Sequence, residues 1–180
     1  MRKNVSLLQI FVQINVAISY KLVQKNVDMK RNVLSKLIDW KNKKNRKPLI
    51  LNGARQVGKT YILREFGSQC YEKMAYVNCD KNKMLEKIFS QDYNISRILL
   101  SLSAILHVNI EPGNTLIIFD EIQESPTVLN SLKYFCEDAP QYHVAVAGSL
   151  LGISLHNNTS FPVGKVDMIK MYPMTFDEFL

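Results

Sequence analysis

The sequence predicts an α/β fold, a parallel sheet with helices packed on both faces. Three observations carry this. Short apolar runs without polar alternation recur along the chain, as in strands buried on both sides. Stretches of helical periodicity separate them. The chain has 180 residues, 47% of them apolar and 22% charged, so one ordinary globular core is within reach, burying roughly 70% of the unfolded surface. The same figures exclude a disordered chain, a collagen-like repeat and a simple coiled coil. A mean hydropathy of −0.08 excludes a polytopic membrane protein.

The first thirty residues stand apart. Met1 to Lys3 is basic and Val5 to Tyr20 is apolar, the outline of a secretory signal. Gln9, Gln13 and Asn15 interrupt the run and no small-residue cleavage site follows. The run is also too short and too polar for a membrane span. A second start-like sequence, Met29-Lys30-Arg31, precedes Val33, Leu34, Leu37, Ile38 and Trp40, which fall at helical spacing. Residues 1–28 are therefore expected outside the fold, and residues 29–180 are expected to form it.

From there strands and helices alternate. Residues 48–52 read as a buried strand running into Gly53, and 59–66 as a helix closed by Gly67. Residues 75–78 are a second strand, and the Leu- and Ile-dense 98–106 a helix. Pro112-Gly113-Asn114 turns the chain into a third strand over 115–119. Ser125-Pro126 opens a helix as N-cap and first residue, with Val128, Leu129, Leu132 and Phe135 on one side. Residues 144–147 and 166–171 are the fourth and fifth strands. Thr175 and Glu178 fit a capping box flanked by a Met174–Phe179 staple. A helix thus starts where the sequence stops at Leu180, and a further C-terminal portion is expected.

Charge and sulfur narrow the setting. Residues 1–47 hold 12 of the 23 Lys and Arg but two of the 16 Asp and Glu. The basicity belongs to the N-terminal segment, not to the body. Such a head fits an acidic partner, nucleic acid or a membrane surface, although a solvated lysine-rich helix face is the commoner meaning. Cys70, Cys79 and Cys136 are odd in number and widely spaced, so a disulfide framework is not expected and a reducing cytoplasm is. Buried, inert thiols are the expectation for all three.

The chemistry lies at the strand ends. Gly53-Ala54-Arg55-Gln56-Val57-Gly58-Lys59-Thr60 matches G-x-x-x-x-G-K-[ST] in its required context, a strand before and a helix after. Gly53 and Gly58 permit the backbone angles that turn the loop around a phosphate. Loop amides and the helix N-terminus then face the anion. Lys59 reaches the β- and γ-phosphates, and the Thr60 hydroxyl is a ligand for Mg²⁺.

The third strand ends in Asp120-Glu121, 61 residues beyond Lys59 counted to Asp120. An acid at the carboxyl end of a parallel strand sits at the mouth of the sheet, beside the phosphates. Asp120 is the second Mg²⁺ candidate, and Glu121 the candidate base for an attacking water. A GTPase would show D-x-x-G, whereas Ile122-Gln123 follows here. The guanine-reading N-K-x-D is also missing, since Asn82-Lys83-Met84 runs into Leu85. ATP is therefore the expected nucleotide. Gly148-Ser149 closes the fourth strand, where the Ser149 hydroxyl meets the γ-phosphate or the water, or simply caps a helix. Gln123 touches that water or a neighbour, or is unrelated to both.

Residues 51–60, with Ile118-Phe119-Asp120-Glu121-Ile122-Gln123 and Gly148-Ser149, resemble a prokaryotic group of AAA-type ATPases. Its members carry an N-terminal AAA-like domain and a C-terminal domain of uncertain role. Residues 172–180 look like that family's stretch after the fifth strand, so the resemblance spans 29–180. It implies a three-layer P-loop core with an additional strand, strand order 5-1-4-3-2, and Mg²⁺-dependent ATP hydrolysis. The sequence stops where the family's lid and C-terminal domain would begin, and any arginine finger or second sensor there is missing from it. Arg55, Arg64 and Arg97 are the arginines of the core, and none sits in a finger motif.

Three readings follow: an ATPase, a nucleotide-binding switch without appreciable hydrolysis, and an ATP-driven DNA-associated or defence protein. ATP, a second copy of the chain and, on weaker grounds, nucleic acid are the candidate partners. Membrane insertion is not expected.

Overall fold

Alternation within each strand builds two cores, one on either side of a single sheet. The computed structural model describes residues 33–149 and 162–173. A helix, α1, runs through 33–42. It is followed by β1 (Leu49–Gly53), α2 (Lys59–Cys70), β2 (Lys73–Asn78), α3 (Lys83–Gln91), α4 (Ile95–Leu106), β3 (Thr115–Asp120), α5 (Pro126–Asp138), β4 (His143–Gly148) and β5 (Asp167–Met171). The five strands pair in parallel in the order β2-β3-β4-β1-β5, the expected order. Successive side chains of a strand point to opposite faces. Leu49, Leu51, Leu116, Ile118, Ala145 and Ala147 therefore meet α1 and α2, through Leu37, Trp40, Ile62, Leu63 and Phe66. Ile50, Ile117, Phe119, Val144 and Val146 meet α3, α4 and α5 on the other face. Every residue of β3 and β4 is buried, which is why these strands read as unbroken apolar runs. The expected three-layer sandwich is the observed one.

Several local expectations change. Gly67 does not close α2, which continues to Cys70. A Cβ on Gly67 would lie 2.7 Å from Met74 Sδ and 3.4 Å from Leu116 Cδ2. The glycine lets the helix approach β2 and β3 closely rather than ending it. Helix α3 was not expected. Asn82 starts it by accepting from the Leu85 N–H at 3.0 Å, and Leu85, Ile88 and Phe89 anchor it in the core. Helix α4 starts at Ile95, three residues early, where Asn94 accepts from the Arg97 N–H at 3.1 Å. Ser125 holds the N-cap position of α5, with Pro126 next, but its hydroxyl makes no capping bond and lies 3.3 Å from Thr127 Oγ1. Ile38, set with the apolar stripe of α1, is 37% exposed.

The three cysteines are free thiols; burial pushes the Cys79 thiol up to about 12, the buried, inert state expected, whereas Cys70 and Cys136 are only half-buried. Among the described residues no helix is long and apolar enough to cross a membrane. Residues 1–28 and the capping box at Thr175 and Glu178 lie outside the described residues.

At the N-terminal end of β4, His143 is buried with its Nδ1 2.7 Å from the Tyr71 hydroxyl and its ring edge-on to Trp40. Burial first, then the charges of Arg46 and Lys41, bring His143 down to about 4. The unfolded chain therefore binds the extra proton near 6.5 and the folded chain only near 4. This contribution to stability is whole above about 6.5 and is lost as the pH falls from there toward 4. Between pH 7 and pH 4 the wild type should lose about 1–3 kcal/mol more stability than His143→Gln, measured by urea unfolding at both pH values. Equal losses in the two proteins would contradict the buried, neutral imidazole.

Candidate functional site

The loop after β1 is shaped by what lies beside it. Gly53 pairs in register with Met171 of β5, and a Cβ on Gly53 would sit 2.3 Å from the Met171 carbonyl oxygen. Close approach of the neighbouring strand, not a special backbone angle, requires that glycine. Left-handed backbone occurs further on, at Gln56 (φ 63°) and Gly58 (φ 91°). Gly58 is the N-cap of α2, so the first amides of the helix face the cleft with no side chain capping them, a natural anion site.

Lys59 is the first residue of α2, and its Nζ donates to the carbonyls of Gly53 at 3.1 Å and Ala54 at 2.6 Å. Burial lowers its ammonium below the ordinary value, opposed by the charges of Glu121 and Asp120. The lysine thus shares a field with both acids. One residue on, Thr60 Oγ1 donates to Asp120 Oδ2 at 2.7 Å. The loop after β1 and the end of β3 are joined directly.

Asp120 is 5% exposed and densely satisfied. Its Oδ2 also accepts from the Tyr76 hydroxyl at 2.9 Å, and its Oδ1 from the Glu121 N–H at 3.0 Å. Burial and this bond to Asp120 raise the Tyr76 phenol above its usual value. The Arg64 guanidinium covers the Tyr76 ring at 3.9 Å. Arg64 is therefore committed to an aromatic face, and Arg97 to Asp92 and the Ile88 carbonyl.

Glu121 follows with left-handed backbone (φ 51°, ψ 46°), and its Oε2 accepts from Gln123 Nε2. Gln123 Oε1 accepts in turn from the Ser149 N–H at 3.2 Å.

These groups surround a cleft of about 650 Å³ at the carboxyl ends of the strands, where ligands bind in open parallel sheets. Of the residues expected from sequence, Arg55, Gln56, Gly58, Lys59, Thr60, Asp120, Glu121, Gln123 and Ser149 line it. Gly53, Ala54 and Val57 shape the loop without lining the cleft. Asn78, Asp80 and Glu124 also line it and were missed, as was Tyr76. Asn78 ends β2 and Asp80 follows it; β2 is the strand paired with β3, so its position in the sheet was the signal. The arrangement suits a polyphosphate with a divalent cation. Mg²⁺ takes hard oxygen donors and keeps phosphate and water in its remaining positions. A threonine hydroxyl and a carboxylate oxygen 2.7 Å apart fit that donor set.

A family model described as "AAA domain" matches residues 45–180. No curated protein matches the chain. Among solved structures, the Aeropyrum pernix ORC1 protein in complex with DNA is similar at 13% identity and a TM-score of 0.52, over 83% of this chain and 45% of that one. Caenorhabditis elegans PCH-2 is similar at 14% identity and a TM-score of 0.47, over 82% of this chain and 42% of that one. The chain spans less than half the length of either.

Tyr76 is the unforeseen support of Asp120. Tyr76→Phe removes one hydrogen bond to a buried carboxylate and should lower folding stability by about 1–3 kcal/mol. Urea unfolding would register this, and a loss below about 0.5 kcal/mol would mean that the bond does not form in solution.

Proposed function

The chain belongs to the AAA domain family, and on that premise we propose that it binds ATP with Mg²⁺ and hydrolyses it to ADP and phosphate. The observation that carries this is the Thr60–Asp120 hydrogen bond. It brings the two sequence-predicted cation ligands together, with Lys59 and Glu121 on the same cleft.

In this reading the loop amides and the N-terminus of α2 hold the phosphates, and Lys59 exchanges the Gly53 and Ala54 carbonyls for β- and γ-phosphate oxygens. Thr60 and Asp120 would hold Mg²⁺, which when bound offsets the charge that builds on the phosphate oxygens. Glu121 orients the attacking water and takes its proton. The water oxygen bonds to the γ-phosphorus, the bond from that phosphorus to the ADP oxygen breaks, and the proton passes from Glu121 to the phosphate released. Ser149 stands at the γ-phosphate end, its hydroxyl beside the water. ATP is the nucleotide because the strand-end acid is followed by Glu121 and no guanine-reading motif accompanies it. Free cysteines suit a cytoplasmic setting. A second copy of the chain, and nucleic acid meeting the basic residues before Pro48, belong to this proposal as partners.

Two substitutions test it. Lys59→Ala should abolish binding of a non-hydrolysable ATP analogue by calorimetry while the fold persists. Glu121→Gln should keep that binding and lower phosphate release by about 10²–10⁴-fold. Equal background release from wild type and Glu121→Gln would leave a nucleotide-binding switch in place of an enzyme.

A further inference from the structure

Gln123 is 6% exposed, in the 3₁₀ turn Ile122–Glu124 between β3 and α5. A buried carboxamide is costly unless both its ends are satisfied. Here they are satisfied by unlike groups. Nε2 donates to the Glu121 carboxylate, and Oε1 accepts the Ser149 N–H at 3.2 Å. An ionised carboxylate only accepts and a backbone N–H only donates, so one orientation of the amide serves both. The reversed amide would set oxygen against oxygen and N–H against N–H. Among side chains of this length, only glutamine offers a donor at one corner and an acceptor at the other without taking up a proton.

The backbone of Glu121 is fixed independently. Its left-handed conformation is uncommon for a residue with a side chain. Its N–H is held by Asp120 Oδ1 and its carbonyl accepts from the Glu124 N–H at 2.9 Å. With Gln123 on the carboxylate, the residue is restrained at both ends while remaining exposed on the cleft. Ser149 directly follows β4, the strand beside β3. One side chain thus joins the acid that follows β3 to the backbone that follows β4.

We propose that Gln123 is a positioning residue that sets the Glu121 carboxylate and ties its placement to the end of β4 at Ser149. This rests on the reading of Glu121 as the group that takes the water's proton. A displacement of Ser149 then reaches Glu121 through a single amide, so whatever occupies the γ-phosphate end of the cleft determines whether the base is aligned.

The test compares wild type, Gln123→Met, Glu121→Gln and the double variant, by ATP turnover, single-turnover rate and thermal unfolding. Gln123→Met should lower kcat by about 10–100-fold with KM for ATP within about twofold, the signature of lost alignment rather than lost binding. In the Glu121→Gln background the same change should alter the residual single-turnover rate by less than about twofold, while still lowering the melting temperature, though by less than in the wild type because the two side chains are in contact. Gln123→Glu keeps the acceptor for Ser149 and sets a like charge against Glu121, so its kcat should fall at least as far. It also serves if the methionine variant does not fold. A wild-type kcat in either variant would overturn the proposal, as would equal rate losses in both backgrounds, which would make Gln123 a general support of the sheet. A wild type that releases no phosphate would overturn the ATPase reading and this one together.

Discussion

The cleft depends on β4 lying between β1 and β3. Neighbouring strands stand ~4.8 Å apart, so the loop after β1 and the acids at the end of β3 begin roughly 10 Å from each other. That gap is wide enough for a phosphate chain and too wide for the loop and the acids to meet unaided. The first turn of α2 narrows it, leaning over β4 until Thr60 reaches Asp120. The lean requires a thin layer between helix and sheet. On the face toward α1 and α2, β4 offers Ala145 and Ala147 beyond His143, whereas its opposite face carries Val144 and Val146. Gly67 performs the same service over β2 and β3, where a side chain would strike Met74. Small residues placed for packing thus set the distance across which the polar residues act.

Much of this was legible in the sequence, because the relevant signals are local. A buried strand running into a phosphate loop and then a helix is one contiguous pattern, and an apolar run ending in two acids is another. Where neighbours across the sheet decide, the sequence reading failed in identifiable ways. Gly67 was read by the rule that glycine ends helices, but tertiary packing overrode it. Gly53 was assigned to a special backbone angle, but its need comes from Met171, more than a hundred residues away. Tyr76, Asn78 and Asp80 escaped because their role follows from β2 pairing with β3 in register, Tyr76 opposite Ile118 and Asn78 opposite Asp120. Helix α3 escaped for a simpler reason: it is nine residues long with three buried anchors, too short for its periodicity to stand out beside the apolar α4.

Lys59, Thr60 and Glu121 each already have an internal partner at the cleft. Lys59 rests on the carbonyls of its own loop, Thr60 on Asp120, and Glu121 on Gln123. Binding there is an exchange of partners, and its free energy is the difference between two well-satisfied states. Such an arrangement keeps the lysine and the acids from collapsing onto one another. The loop carbonyls hold Lys59 and the Gln123 amide holds Glu121, so neither is neutralised by the other in a direct ion pair. A cleft with opposite charges left to pair directly would have to break a salt bridge before admitting a phosphate.

Asp120 illustrates how the exchange leaves the frame intact. Its Oδ2 accepts from two hydroxyls, Thr60 and Tyr76, and its Oδ1 from the Glu121 amide. On the ATPase reading, Thr60 gives up its bond to Asp120 when its oxygen turns to a cation. Without Tyr76 and the amide, the carboxylate would then be free to swing. With them it keeps two donors, and Arg64 over the Tyr76 ring holds the second donor in line. On that reading Tyr76 acts through its bond to Asp120. Its place on β2, one strand beyond the acids, lets the ligand set change partners while the side chain that must not move stays anchored.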